Sequence, residues 1–219
     1  MKAPILFSAA LACLLMLAGC DSIYTDNPIG TSPETQTDTR LIGGWKFVIP
    51  PEDLKKSPGE QVFYCFFLPQ KRGGFRGVMA TWSTGKTSDS GDFAFEALTG
   101  KAGDHWFLNL RHIVTDGKAD EDEPPGYRPY RYRIDDDGAL RVFDWSPEGL
   151  RKLEADIEQG RIRGTVTIDG MGTDDNGKPV RTTNIQITAD QQALDAYFAE
   201  NAARIFDKPV FTLNRVADR

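Results

Sequence analysis

The segment Tyr127-Arg128-Pro129-Tyr130-Arg131-Tyr132-Arg133 carries the densest set of binding-type side chains in this sequence. On a strand, successive side chains take opposite faces, so Tyr130 and Tyr132 share one face and Arg131 and Arg133 the other. If the arginines line a cavity, their planar forks hold an anionic ligand bidentately. If they face water, they keep the sheet soluble. A second candidate is Ser83-Thr84-Gly85-Lys86, in which a lysine one helical turn from a serine could activate it as a nucleophile. Gly85 and the flanking threonines disfavour the helix that this chemistry needs. The two histidines, His105 and His112, lie an odd seven residues apart, which on one strand puts them on opposite faces and away from a shared metal. No G-x-S-x-G turn supports a Ser-His-Asp arrangement. The acidic groups Asp120–Glu123, Asp135–Asp137 and Asp174-Asp175 lack the order of a calcium loop and read as turns and solvated loops. Cys65, within Val62-Phe63-Tyr64-Cys65-Phe66-Phe67-Leu68, reads as a buried, inert thiol. The expectation is no catalytic set, no metal and no cofactor.

Composition narrows the partners. The 219 residues are 40% hydrophobic and 26% charged, enough for one sizeable domain, and the formal charge is −6. An acidic balance argues against nucleic acid, whose phosphates need clustered Lys and Arg, and against broad adhesion to anionic headgroups. Any membrane attachment must therefore come from lipid. The N-terminus supplies a place for it. Lys2 precedes a nearly unbroken apolar run from Ala3 to Ala18, a short positive region followed by a hydrophobic one. The run falls short of the roughly 20 residues of a membrane span. It ends in Leu17-Ala18-Gly19-Cys20, which resembles the lipobox of bacterial lipoproteins. That resemblance implies removal of residues 1–19 as a signal peptide, a diacylglyceryl thioether on Cys20 and acylation of the freed amine. One acyl chain binds marginally, whereas two or three hold firmly. Cleavage instead after Ala10-Leu11-Ala12 would leave the apolar stretch Leu14–Ala18 on the mature chain. Asp21 follows the cysteine, and an aspartate there resembles the sorting signal that retains enteric lipoproteins in the inner membrane. The expected address is the periplasmic face of the cell membrane, the inner membrane preferred over the outer.

Residues 20–40 read as the lipidated cysteine and a flexible tether, being rich in Asp, Asn, Thr, Ser and Pro without apolar period. Twenty such residues reach on the order of 25 Å. Residues 41–219 read as a single β-rich domain. Strand patterns run over 44–49, 61–68, 75–82, 92–98, 105–114, 130–134, 139–145, 161–168, 180–187 and 210–216. Asp137-Gly138 and Asn176-Gly177 supply hairpin turns. Ser146-Pro147-Glu148 starts one helix, with Leu150, Leu153 and Ile157 on one face and Gly160 as its stop. Thr188-Ala189-Asp190-Gln191 has capping-box spacing and starts a second helix that buries Leu194, Tyr197 and Phe198. The predicted fold is mainly β, an antiparallel barrel-like domain with two short helices.

Four sequence patterns resemble known ones. Ala80–Thr87 fits a relaxed phosphate-loop pattern, but Ser88-Asp89-Ser90-Gly91 behind it is turn chemistry, not a helix start. Ser83-Thr84-Gly85-Lys86 resembles the start of the penicillin-binding and β-lactamase pattern, without the later motifs. Gly43-Gly44-Trp45 resembles the G-x-W of lipocalin-like barrels, in which an arginine from the last strand packs over the tryptophan. Arg215 is similarly placed, which implies a structural pair, Trp45 and Arg215, and a barrel able to carry a small apolar or anionic ligand. The pattern from Tyr130 to the C-terminus resembles uncharacterised proteobacterial lipoproteins and implies no activity. Three functions stay open: a non-catalytic envelope protein that binds another envelope component or is structural, a lipocalin-like carrier, and, least supported, an envelope hydrolase using Ser83 and Lys86 or a histidine.

Overall fold

The computed structural model describes residues 21–30, 37–49, 61–71, 73–83, 92–115, 117–119, 125–173 and 179–216. The leader, Cys20, Thr84–Lys86, Asp120–Glu123, Asp174-Asp175 and Asn176-Gly177 lie outside them. In chain order the strands are β1 (Asp21–Thr25), β2 (Gly43–Ile49), β3 (Gln61–Pro69), β4 (Phe75–Ser83), β5 (Asp92–Ala102), β6 (His105–Thr115), β7 (Lys118–Ala119), β8 (Arg128–Ile134), β9 (Leu140–Asp144), β10 (Gly164–Thr173), β11 (Pro179–Ile187) and β12 (Lys208–Arg215). Helix α1 spans Pro147–Glu158 and α2 spans Gln191–Ile205.

Eight of the strands close an antiparallel barrel in the order β2-β3-β4-β5-β6-β8-β9-β12, and β12 returns to β2. Each barrel strand pairs with the next in sequence, so closure depends on the two ends of the chain meeting. Arg215 opposes Trp45 in that last seam. Alternation makes the interior aromatic: Trp45, Phe63, Phe67, Phe75 and Phe95 are buried, with Cys65 among them. Burial pushes the Cys65 thiol up to about 12, so it stays protonated and unreactive. Gly77 sits opposite Phe95 in register, and a Cβ there would lie 2.1 Å from that ring. The missing side chain is what admits the ring to the interior.

A second layer covers the outer face of the barrel. It consists of α1, α2 and a three-stranded sheet ordered β1-β11-β10. Its core contains Ile23, Ile29, Leu153, Ile185, Ile187, Leu194, Phe198 and Phe206, packed on Phe107 and Phe143 of the barrel wall. Both helices start as physical capping requires. The Ser146 hydroxyl accepts from the Gly149 N–H at 3.0 Å. For α2 the cap is Asp190, accepting from the Ala193 N–H at 2.9 Å, and the helix starts at Gln191. The capping box counted from Thr188 is therefore corrected by two residues: the Thr188 N–H is still bonded to the Arg163 carbonyl. Asp156 ties the helices together. It is contacted by Lys152, by Arg161 and by the Tyr197 hydroxyl at 2.7 Å. Burial raises this carboxyl, and those partners outweigh burial and hold it below the ordinary value.

The reading of residues 20–40 as a flexible tether is overturned for the part described. β1 pairs in parallel with β11 over five registered residues. Thr25 and Tyr127 exchange reciprocal backbone bonds of 2.9 and 2.8 Å. The buried Asn109 side chain accepts from the Ile29 N–H at 2.9 Å and donates to the Ile29 carbonyl at 3.0 Å. At Gly30 the backbone lies directly on β5: a Cβ would meet the Lys101 nitrogen at 2.3 Å. The polar composition misled because, among the described residues of that stretch, Ile23, Tyr24 and Ile29 are the buried apolar ones, and they are too few to make a period, while Thr25 and Asp38 are buried despite being polar. Asp21, the sorting candidate, is the first residue of β1.

Candidate functional site

One end of the barrel is stoppered. A short 3-10 helix, Thr39–Leu41, lies across it, and its cap Asp38 is buried. The Asp38 carboxylate receives Arg40 Nε and Nη2, both at 2.8 Å, and the Tyr132 hydroxyl at 2.8 Å. Its own N–H donates to the Thr99 hydroxyl. Burial raises Asp38, and the Arg40 and Tyr132 bonds outweigh it, leaving the carboxyl below its ordinary range. Beneath the stopper, Trp45 donates from Nε1 to the Leu41 carbonyl at 2.8 Å. The Arg215 guanidinium carbon lies 4.3 Å from the Trp45 ring centroid and bonds the carbonyls of Arg40 and Ile42. Trp45 and Arg215 thus latch the first and last barrel strands together.

The opposite end is built differently. Phe47 stacks on Phe63 at 4.4 Å and meets Phe211 at 4.9 Å. Phe47, Met79, Phe93 and Ile113 there are only partly buried. The connections that flank this end, 50–60, 84–91 and 120–124, lie outside the described residues; among the described ones it is the less tightly filled end, or mouth, of the barrel. Its polar groups come from β8 and β9. Arg128 opposes Leu110 and Tyr130 opposes Leu108, so both take the interior side of the wall. Arg128 is 6% exposed. Its guanidinium carbon lies 5.2 Å from the Trp145 ring and 5.7 Å from the Tyr130 ring. Asp144 is 9% exposed, and burial pushes its carboxyl up to about 6, against the opposing pull of Arg128, the Trp145 N–H and Lys208. Burial likewise holds the Tyr130 hydroxyl above the ordinary tyrosine range.

The predicted site residues separate. Tyr130 and Tyr132 do point inward, Tyr130 near the mouth and Tyr132 into the stopper. Arg131 and Arg133 do not face the barrel interior. Arg131 lies outside, over Phe143, and donates from Nε to the Phe206 carbonyl at 3.0 Å; Arg133 pairs with Asp135 at 2.6 Å. The strand alternation that unites the tyrosines forces the arginines outward, and the inward arginine is Arg128. It was legible by the same parity, since 128, 130 and 132 share a face, but a buried arginine is rare enough to escape a reading by composition. His112 is exposed, at a positive φ of 52°, and His105 is half-buried. Among the described residues no cluster of three or more candidate ligands could hold a metal. A separate cleft of about 470 Å³ between α1 and α2 is open to solvent, and its Arg161 is already committed to Asp156.

The raised Asp144 makes a pH prediction. Between the unfolded value of about 3.9 and the folded value of about 6, the native state binds the proton more tightly than the unfolded chain. Stability on this group is therefore fullest below about pH 4 and falls as pH rises through 6. Asp144→Asn is expected to be more stable than the parent at pH 7, on the order of 1–3 kcal/mol, with the gap closing near pH 4. Urea unfolding at several pH values reads this directly, and an equal gap at both ends would refute it.

No protein family, curated protein or solved structure matches the chain.

Proposed function

We propose that this chain is a lipid-anchored, non-catalytic protein of the cell envelope, facing the periplasm, that binds another envelope component through the barrel mouth. The observation that supports a binding role best is the asymmetry of the barrel: one end stoppered by Asp38, Arg40 and Tyr132, the other presenting partly exposed aromatic side chains beside a buried arginine. The anchor rests on Leu17-Ala18-Gly19-Cys20 behind the apolar run. Among the described residues no helix is long and apolar enough to cross a membrane. This reading assigns attachment to Cys20 on the lipobox resemblance alone. The inner membrane is preferred over the outer on Asp21.

Geometry sharpens that reading. Cys20 adjoins the first residue of a docked strand, so the lipid would hold the domain against the bilayer rather than at the end of a tether. β1 runs parallel to β11, with Asp21 beside Thr183. The β10–β11 hairpin continues past that point to Thr173 and Pro179, beyond the end of β1 at which Asp21 stands. Ile168, across β11 from Asp21, is 57% exposed there. The hairpin side is accordingly the bilayer side. Cys20→Ser is expected to move the chain from the membrane to the soluble fraction and to abolish labelling by a fatty-acid probe, because the two diacylglyceryl chains are attached through that thiol and acylation of the amine follows its processing. Retention in the membrane with labelling intact would remove the anchor.

A second reading, a carrier of a small anionic ligand, is favoured by Arg128.

A further inference from the structure

Arg128 differs from the other arginines around the barrel. Arg40, Arg111, Arg131, Arg133, Arg141 and Arg215 each donate to a carboxylate, hydroxyl or carbonyl, and Arg76 on β4 is exposed to water. Arg128 is the buried one, and its Nε and Nη2 are shielded and have no hydrogen-bond partner among the described residues. Those two atoms form one edge of the guanidinium. On Arg40 the same edge grips both oxygens of Asp38 at 2.8 Å. A buried charged donor without a partner is costly, and native proteins rarely keep one without use. The Arg128 guanidinium carbon lies 5.2 Å from the Trp145 ring centroid and 5.7 Å from that of Tyr130, beside a stacked ring pair whose centroids are 6.2 Å apart. These contacts favour the cation at this position, and its unpartnered edge is left to receive two coplanar oxygens.

We propose that Arg128 is the oxyanion-binding residue of the barrel mouth, taking a carboxylate or phosphate group of a small ligand side-on through Nε and Nη2. This deepens the carrier reading and is independent of the lipid anchor. The neighbouring charges are Asp144 on β9 and Lys208 on β12, which oppose each other in register. No ion pair joins Arg128 to Asp144, so that carboxylate does not close the fork. Asp144 nonetheless repels an incoming anion, while Lys208 attracts it.

The test follows the arginine Nε–H resonances of the full chain in detergent by proton–nitrogen correlation, titrated separately with sodium acetate and inorganic phosphate at constant ionic strength. One Nε–H signal, identified by its absence in Arg128→Lys, should shift saturably. The anion that saturates at lower concentration names the headgroup. Arg128→Lys should weaken that binding about tenfold, since an ammonium cannot make the planar two-point contact. Asp144→Asn, which removes the repelling charge and keeps the shape, should tighten it roughly three- to tenfold at pH 7. A linear, unsaturated response to both anions overturns the site, as does equal binding by Arg128→Lys. Either result with Cys20-dependent attachment intact leaves the envelope reading standing.

Discussion

Replacing Ile23 by aspartate is expected to unfold the chain under conditions where the parent is folded. Ile23 is fully buried in the outer core, between β11 and the barrel wall, and its backbone is paired with Ile185. An unpartnered carboxylate there loses the apolar contact and adds the desolvation of a charge, a combination that exceeds about 4–5 kcal/mol. Native stabilities lie at roughly 5–15 kcal/mol, so little would remain. Ile23→Ala isolates the packing part and should cost about 2–5 kcal/mol in urea unfolding. Deleting residues 21–30 should be at least as damaging, because it also removes the partners of Tyr127, Asn109 and Lys101. A soluble fragment begun at Arg40 would therefore be a damaged domain. If Ile23→Asp melts within a few degrees of the parent, β1 is not part of the folded core.

The second large effect is at the seam. Trp45→Ala should cost about 3–5 kcal/mol, the range for emptying a large aromatic site. The indole is fully buried, its Nε1 holds the Leu41 carbonyl, and its ring carries Arg215. Losing it loosens the stopper and the β12–β2 pairing together, and β12–β2 is registered over only two residue pairs. Arg215→Ala should cost less, about 0.5–2 kcal/mol, because its guanidinium is exposed, so water replaces its bonds to the Arg40 and Ile42 carbonyls and the cation–π contact is the main loss. Thermal melts of both variants check the order; a Trp45→Ala protein as stable as Arg215→Ala would contradict a latch centred on the indole.

Much of the barrel could be read from alternation. The strand patterns from Gly44 to Val216 sit within a few residues of the observed strands, because inward residues such as Phe63, Cys65 and Phe67 alternate with exposed Phe66 and Leu68. The helices were legible from Ser146-Pro147 and from the apolar face of α2. What was hidden has a physical reason in each case. β1 is held by backbone pairing and by Asn109, neither of which leaves a hydrophobic period. The separation of β10 and β11 from the barrel depends on which sheet edge they meet, and local pattern carries no information on that. The mouth was half legible: the segment 127–133 was the right place, and the tyrosines were the right face. The arginines chosen were the outward ones, since a polar side chain is expected outside and Arg128 breaks that rule.

On the proposed reading the domain is fixed to the membrane at Cys20, immediately before β1. Intact and peptide mass spectrometry of the chain extracted from the membranes of the exporting cell tests this most directly. The expected protein starts at Cys20, with acyl groups on that residue and an unmodified Cys65. An N-terminus elsewhere, or a Cys20 recovered as a free thiol, would contradict it.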